Sequence, residues 1–288
     1  MTAATSSAGA RLRARLGGPV VHAPGCYDTL SAMLVEQAGF EVAYLSGFAL
    51  AAGLLGEPDL GLLGLDDVAG MVRRATMRVD IPIVVDIDTG FGGPLNIRRT
   101  VLEVEAAGAA AVQIEDQRSP KRCGHFDHKE IVPEAEAVGR VEIAVGARRS
   151  AELIVIARTD AIAVAGVDTA VQRARLFRDA GADVLFVEAI ESVDQLRAIA
   201  DALDHFPLLY NAVEGGRSPV LDDTTLSAAG VQLVIHPVTL LLETIAAQRR
   251  ALAALADGAA GTAETVTLAK DVVGALDAMD FHARHQPR

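Results

Sequence analysis

A single thiol among cations, Lys121-Arg122-Cys123-Gly124-His125, is the stretch of this sequence best suited to proton chemistry. Positive charge beside a cysteine favours the thiolate and lowers its pKa, which would make Cys123 an acid, a base or a nucleophile. Gly124 would let the backbone approach a ligand closely or take a positive φ, and Pro120 stiffens the start of the segment. A solvated basic loop carrying an incidental cysteine has the same composition, so both readings are open at this point.

A second group is acidic. Asp86 and Asp88 lie two apart at the end of an apolar run, a spacing that turns both carboxylates to one side of a strand end. With Glu115 they offer only oxygen ligands and no Cys or His pair, a donor set suited to Mg²⁺, or Mn²⁺, over zinc. Gly90, Gly92 and Gly93 would keep the following loop small and open to a ligand. Arg158 is a candidate fork for a substrate carboxylate, because a guanidinium can donate two parallel hydrogen bonds. Ser46 and the amide of Gly47 could hold another oxygen. These residues describe a site for an anionic, multiply oxygenated small molecule. Cys26 reads as a small core residue, His22 and His205 as structural or solvated, and His236 as either a ligand contact or a satisfied polar group.

The elements that must position these groups follow from a repeated joint. Gly39, Gly108, Gly181 and Gly230 each follow a helical stretch and precede a short apolar run: Val42 to Ser46, Ala111 to Glu115, Val184 to Glu188 and Val231 to His236. Further strands fit Val20 to Ala23, Ile81 to Asp86, Leu153 to Arg158 and Pro207 to Asn211. Between them run helical stripes: Val171, Ala174, Phe177 and Ala180 behind an Asp168 cap, and Val193, Leu196, Ile199 and Leu203 behind Ser192. Eight short strands alternating with helices predict a (β/α)8 TIM barrel. A doubly wound sheet is the rival, but no G-x-G-x-x-G follows the first strand. The barrel forms one domain over residues 1–288, with 240–288 as a helical extension. That extension comprises a helix from about Leu240 to Leu255, a break at Asp257 to Gly261, and a last helix from about Ala263 to Met279. The last helix carries Val266, Leu268, Val272, Val273 and Leu276. It would pack on another subunit or back on its own barrel.

In such a barrel the chemistry sits where strands end on the C-terminal face. Those ends are Tyr44 and Ser46, Asp86 and Asp88, Glu115, Arg158, Glu188, Asn211 and His236, and so many convergent acids would repel one another without a cation among them. Composition narrows the partners. The 288 residues are 51% hydrophobic but only 4% aromatic, without Trp, as suits helices packed on a parallel sheet of Ala, Val, Leu and Ile. A net charge of −12 argues against nucleic acid and anionic membranes. No apolar run reaches the roughly 18 residues of a membrane helix. Met1 to Leu16, with Arg11, Arg13 and Arg15 and no acid, slightly resembles a transit peptide but lacks an h-region, and reads as a loose tail running into a short helix. Only two cysteines occur, in no zinc pattern, so a reducing cytoplasm is the simplest setting.

The combination resembles the isocitrate lyase and phosphoenolpyruvate mutase superfamily, of 2-methylisocitrate lyase-like type. The resemblance rests on Tyr44-Leu45-Ser46-Gly47, Glu57-Pro58-Asp59-Leu60-Gly61, Asp86 to Gly92, Ile114 to Gln117, Pro120 to His125, Ala157-Arg158-Thr159-Asp160 and Glu188-Ala189. It implies a last helix exchanged with a neighbouring subunit within a homotetramer, and a gate from Gln117 to about Val132 that closes over substrate. Pro133-Glu134 then opens the next helix. It further implies that Asp86 and Asp88 hold Mg²⁺, with Glu115 acting through water. Ser46, Gly47, Arg122, Gly124, Glu188, Asn211 and His236 would contact substrate. Cys123 would protonate the carbanion-like product, with Tyr44 or an ionised neighbour as base and Arg158, Asp59, Lys121 and His125 completing the catalytic set. The implied reaction is a retro-aldol split of a 2-hydroxy di- or tricarboxylate to pyruvate or glyoxylate plus a carboxylic acid.

Two departures bear on the substrate. In 2-methylisocitrate lyases the eighth strand typically ends Tyr-Pro-Leu-Ser with an Arg five residues after the Pro. Here His236-Pro237-Val238-Thr239 runs on to Leu242, with Arg217 or another chain's Lys270 as possible compensation. Asn211-Ala212-Val213-Glu214-Gly215-Gly216-Arg217 is more similar to dimethylmalate lyases and carboxyphosphonoenolpyruvate mutases. A phosphonomutase, an oxaloacetate decarboxylase and a noncatalytic binding protein are the alternatives.

Overall fold

The computed structural model describes residues 6–121, 129–213, 215–216, 218–259 and 263–285. The four joint glycines do what their position demands: Gly39, Gly108, Gly181 and Gly230 take φ of 86°, 101°, 98° and 74°. Such left-handed residues terminate a helix and turn the chain into the following strand. The strands are β1 (Val21–Cys26), β2 (Ala43–Leu45), β3 (Ile83–Asp86), β4 (Ala111–Glu115), β5 (Ile154–Thr159), β6 (Val184–Val187), β7 (Leu208–Asn211) and β8 (Val231–His236). Each pairs in parallel with the next and β1 pairs with β8, closing the eight-stranded barrel that the strand and joint pattern predicts.

The helices are α1 (Ala8–Arg15), α2 (Thr29–Gln37), α3 (Gly47–Leu50), α4 (Leu65–Thr76), α5 (Pro94–Ala106), α6 (Glu134–Ala147), α7 (Ala161–Ala165), α8 (Val167–Asp179), α9 (Val193–Ala202), α10 (Asp223–Ala228), α11 (Thr239–Ala256), α12 (Ala263–Val272) and α13 (Ala275–His285). A π-helical turn over Ala51–Leu55 follows α3. Ser192 caps α9 as expected, its Oγ accepting from the Gln195 amide at 3.1 Å. Asp168 does not cap α8. The cap is Gly166, and Asp168 sits in the first turn, where its charge complements the helix dipole. Pro133 is the N-cap of α6.

Strand alternation divides the core. Val84, Ile154, Ile156, Phe186, Leu209 and Ile235 fill the barrel interior, while Val85, Val112, Val155, Leu185, Val187 and Val234 face the helices. Leu12 of α1 joins the interior cluster. Arg11 donates to the Asp80 carbonyl at 2.6 Å and Arg13 to the Ala151 carbonyl at 3.0 Å, so α1 is fixed beneath the strands' N-terminal ends. Cys26 is fully buried, and burial pushes its thiol up to about 12, which suits a core residue and not a reagent.

By internal packing the chain divides into two units, Met1–Leu240 and Leu241–Arg288. The expected single last helix is two: α12 ends at Val272, Gly274 at φ 66° turns the chain, and α13 begins at Ala275. Leu268, Leu276, Met279 and Phe281 in this unit are exposed. Among the described residues no helix is long and apolar enough to cross a membrane.

Candidate active site

The period of two along each strand decides which side chains reach the mouth of the barrel. In β5, Ile154 and Ile156 point inward, so Arg158 does too. By the same parity Tyr44 on β2 and Ser46 just after it, Asp86 on β3, Gln113 and Glu115 on β4, Glu188 after β6 and Asn211 on β7 converge there, and all are buried. Strand register sets Asp86 beside Gln113 and Glu115 beside Arg158. The parity of β8 sends His236 the other way. Its Nε2 lies 2.9 Å from His22 Nδ1, and His22 Nε2 lies 2.9 Å from the Asp223 carboxylate. The expected substrate contact from His236 is therefore corrected to a contact on the helix side of the barrel.

The loop after β3 is tightly constrained. Asp88 has φ 49°, and its amide donates to Asp86 Oδ1 at 3.0 Å. Gly90 has φ 88°, and a Cβ there would lie 2.4 Å from Ile97 of α5, so only glycine fits. A Cβ on Gly47 would sit 3.3 Å from both Asp86 Oδ2 and Asp88 Oδ1. The missing side chain at Gly47 thus leaves room directly in front of the two carboxylates. Ser46 caps α3, its Oγ accepting from the Ala49 amide at 3.3 Å.

Lys121 is no solvated loop cation. Its ammonium is buried against the Asp59 carboxylate and lies 2.7 Å from Asp88 Oδ1. Burial opposes its charge, yet Asp88 and Asp59 hold its pKa well above the usual lysine value. Arg158 donates from Nε to Asp160 Oδ2 at 2.8 Å and from a terminal nitrogen to Oδ1 at 3.0 Å. The fork predicted for substrate is turned to Asp160 here. Glu115 and Glu188 lie 3.3 Å away, and the guanidinium stands 5.0 Å over the Phe186 ring. Asn211 donates to Glu188 at 3.1 Å. Tyr44 donates to Asp86 at 3.2 Å and Gln113 at 3.1 Å. Burial and the Asp86 charge push the phenol well above its ordinary pKa, so Tyr44 stands here as a hydrogen-bond donor.

Among the described residues, Asp59, Asp86, Asp88, Glu115, Asp116, Asp160 and Glu188 are buried with only Lys121, Lys129, Arg158 and Arg173 to answer them. Burial pushes Asp88 up to about 7 and Glu115 well above the carboxylate range. Glu115 Oε1 is buried without a hydrogen-bond partner. A site short of positive charge, with oxygen donors only and an open space at Gly47, fits a hard divalent cation. Among the described residues no group of three or more His, Cys, Asp or Glu side chains is arranged to hold a metal ion, so a cation at Asp86 and Asp88 would take its remaining ligands from water or substrate oxygens.

The sequence profile of the family described as phosphoenolpyruvate phosphomutase matches residues 12–256. The chain belongs to the phosphoenolpyruvate mutase and isocitrate lyase superfamily. Within this superfamily it is 44% identical over 233 residues to the 2-methylisocitrate lyase of Aeropyrum pernix, covering 81% of this chain and 74% of that protein. The crystal structure of a 2,3-dimethylmalate lyase superposes with a TM-score of 0.91 at 36% identity, covering 97% of this chain and 96% of the other. An oxaloacetate acetylhydrolase, bound to 3,3-difluorooxalacetate, superposes with a TM-score of 0.91 at 35% identity, covering 98% and 99%.

Arg122, Cys123, Gly124 and His125 lie outside the described residues. The stretch on either side of them is pinned. Gln117 pairs antiparallel with Ile131, the Arg118 amide donates to the Glu130 carbonyl at 2.7 Å, and Arg140 donates to the Gln117 carbonyl at 2.7 Å. Gln113, Lys129 and Asp160 are site residues that the sequence reading did not single out. Parity alone would have found Gln113, two residues before Glu115.

Proposed function

We propose that this chain is a Mg²⁺-dependent carbon–carbon lyase that splits a 2-hydroxy dicarboxylate or tricarboxylate into pyruvate or glyoxylate and a carboxylic acid. The observation that carries the reading is the surplus of buried carboxylates around the open space at Gly47. Relatives named as lyases at 44% identity, and a dimethylmalate lyase of the same fold, support it. Asp86 and Asp88 would hold the cation, with Glu115 acting through water. The cation supplies Lewis-acid stabilisation of the oxygens of the nascent α-keto acid.

The chain's own groups do the rest. Arg158 turns its guanidinium to a substrate carboxylate, and Lys121 keeps Asp59 and Asp88 in place. An ionised carboxylate removes the hydroxyl proton, the carbon–carbon bond breaks as the carbonyl forms, and Cys123 returns a proton to the carbanion of the departing acid.

No Arg follows Pro237 at the position a tricarboxylate needs, since Leu242 stands there. A buried carboxylate left unpaired costs about 3–5 kcal/mol, or roughly two to four decades of affinity. The expected result is therefore a kcat/KM for 2,3-dimethylmalate about 10²-fold or more above that for 2-methylisocitrate. The test is α-keto acid release from those two substrates and isocitrate, with oxaloacetate, itself an α-keto acid, assayed for acetate. Equal or better cleavage of the tricarboxylates would show that another cation takes their outer carboxylate. Release of α-keto acid from none of them would remove the lyase reading. Acetate from oxaloacetate would instead favour the activity named for the acetylhydrolase neighbour.

The exposed Leu268, Leu276, Met279 and Phe281 would be covered by a second copy of this chain, as in a homotetramer with exchanged C-terminal helices. Mass in solution checks this, and a monomer would contradict it.

A further inference from the structure

Lys129 lies just beyond the residues that carry the thiol, and its Nζ donates to Asp160 Oδ1 at 2.7 Å with both side chains almost wholly buried. The same Oδ1 accepts from Arg158 at 3.0 Å. Neither residue is loosely placed. The Asp160 amide donates to Asp116 Oδ1 at 3.0 Å, and Arg173 ties Asp116 at 3.0 Å to the Val132 carbonyl at 2.7 Å, three residues after Lys129. Asp160 therefore faces two cations, and its carboxyl is held well below the usual range by Arg158 and Lys129 against the opposing effect of burial.

We propose that Lys129 is a positioning residue that frees Arg158 for a substrate carboxylate by holding Asp160 when the guanidinium turns away from it. This rests on the reading that Arg158 receives a carboxylate. Arg158 grips Asp160 with Nε and one terminal nitrogen, so turning that edge of the guanidinium to a substrate carboxylate loosens the bidentate hold. A buried carboxylate abandoned by its cation is costly, and with Lys129 in place Asp160 is never abandoned. Without Lys129 each substrate carboxylate competes directly with Asp160 for one guanidinium.

The test is calorimetric titration of the folded enzyme with oxalate in Mg²⁺, oxalate being a minimal planar dicarboxylate. Lys129→Met is expected to weaken oxalate binding by about three- to thirty-fold and to raise KM more than it lowers kcat, while Lys129→Arg stays within about two-fold of wild type. Adding Asp160→Asn to Lys129→Met restores the affinity, because the competing charge is gone. Asp160→Asn alone, usable if Lys129→Met does not fold, binds oxalate at least as tightly as wild type. A merely structural Lys129 would lower the melting temperature and leave oxalate affinity unchanged, and that result overturns the proposal. Weaker binding by Asp160→Asn, or no oxalate binding by wild type, overturns it equally. Failure to release any α-keto acid, with oxalate still bound as predicted, removes the lyase reading and leaves this one standing.

Discussion

Replacing Arg158 by Met is expected to lower kcat/KM for the cleaved substrate by about 10²–10³-fold, the loss typical of removing one preorganised donor from an active site. The same change is expected to destabilise the fold, because Glu115, Asp160 and Glu188 all lie within 3.3 Å of that guanidinium in a buried site. Removing one partner of a buried ion pair costs about 3–5 kcal/mol. At about 2–4 °C per kcal/mol for a domain of this size, the melting temperature falls by roughly 6–20 °C. Lysine does not rescue either effect, since a point charge cannot make the two parallel bonds to Asp160. Steady-state kinetics and thermal melts of both variants check this. Activity within about tenfold of wild type in Arg158→Met would place carboxylate recognition on another residue.

Cys123→Ser is expected to cut turnover by about 10²–10⁴-fold, the range of a lost general acid, while substrate affinity and melting temperature stay near wild type. A hydroxyl of the same shape is a much weaker acid than a thiol, so the carbanion waits for a proton from solvent. Solvent-exchange labelling of the acid product distinguishes the two variants: protonation by Cys123 is stereospecific, and protonation by water in the serine variant is not. Unchanged turnover in Cys123→Ser would make the cysteine a bystander.

Most of the barrel was legible because its signals are local. The small-residue helix ends with glycines at 39, 108, 181 and 230 announce four turns into strands, and the polar residue closing nearly every apolar run marks the C-terminal mouth. Asp86, Asp88, Glu115, Arg158, Glu188 and Asn211 were found by that rule, and strand parity gathers them. The rule failed for His236 because position at a strand end does not say which face a side chain takes; Leu233 and Ile235 inside the barrel settle that for β8. The last helix was read as continuous across Val272 and Val273, since an apolar stripe carries more weight than one glycine until Gly274 is seen at φ 66°. Asp168 resembles a cap, but Gly166 alone can take the φ of 86° required there. The Lys129–Asp160 and Lys121–Asp59 pairs could not be read at all. They join residues 31 and 62 positions apart, and no local pattern encodes such a meeting.

The most direct test of the central claim is the time course of α-keto acid formation from 2,3-dimethylmalate by the wild-type chain, first with Mg²⁺ and then with excess EDTA. The account predicts stoichiometric α-keto acid and carboxylic acid with Mg²⁺, arrest on chelation and recovery on returning the metal. Cleavage that continues unchanged in EDTA would contradict the assignment of Asp86 and Asp88 as the cation's ligands.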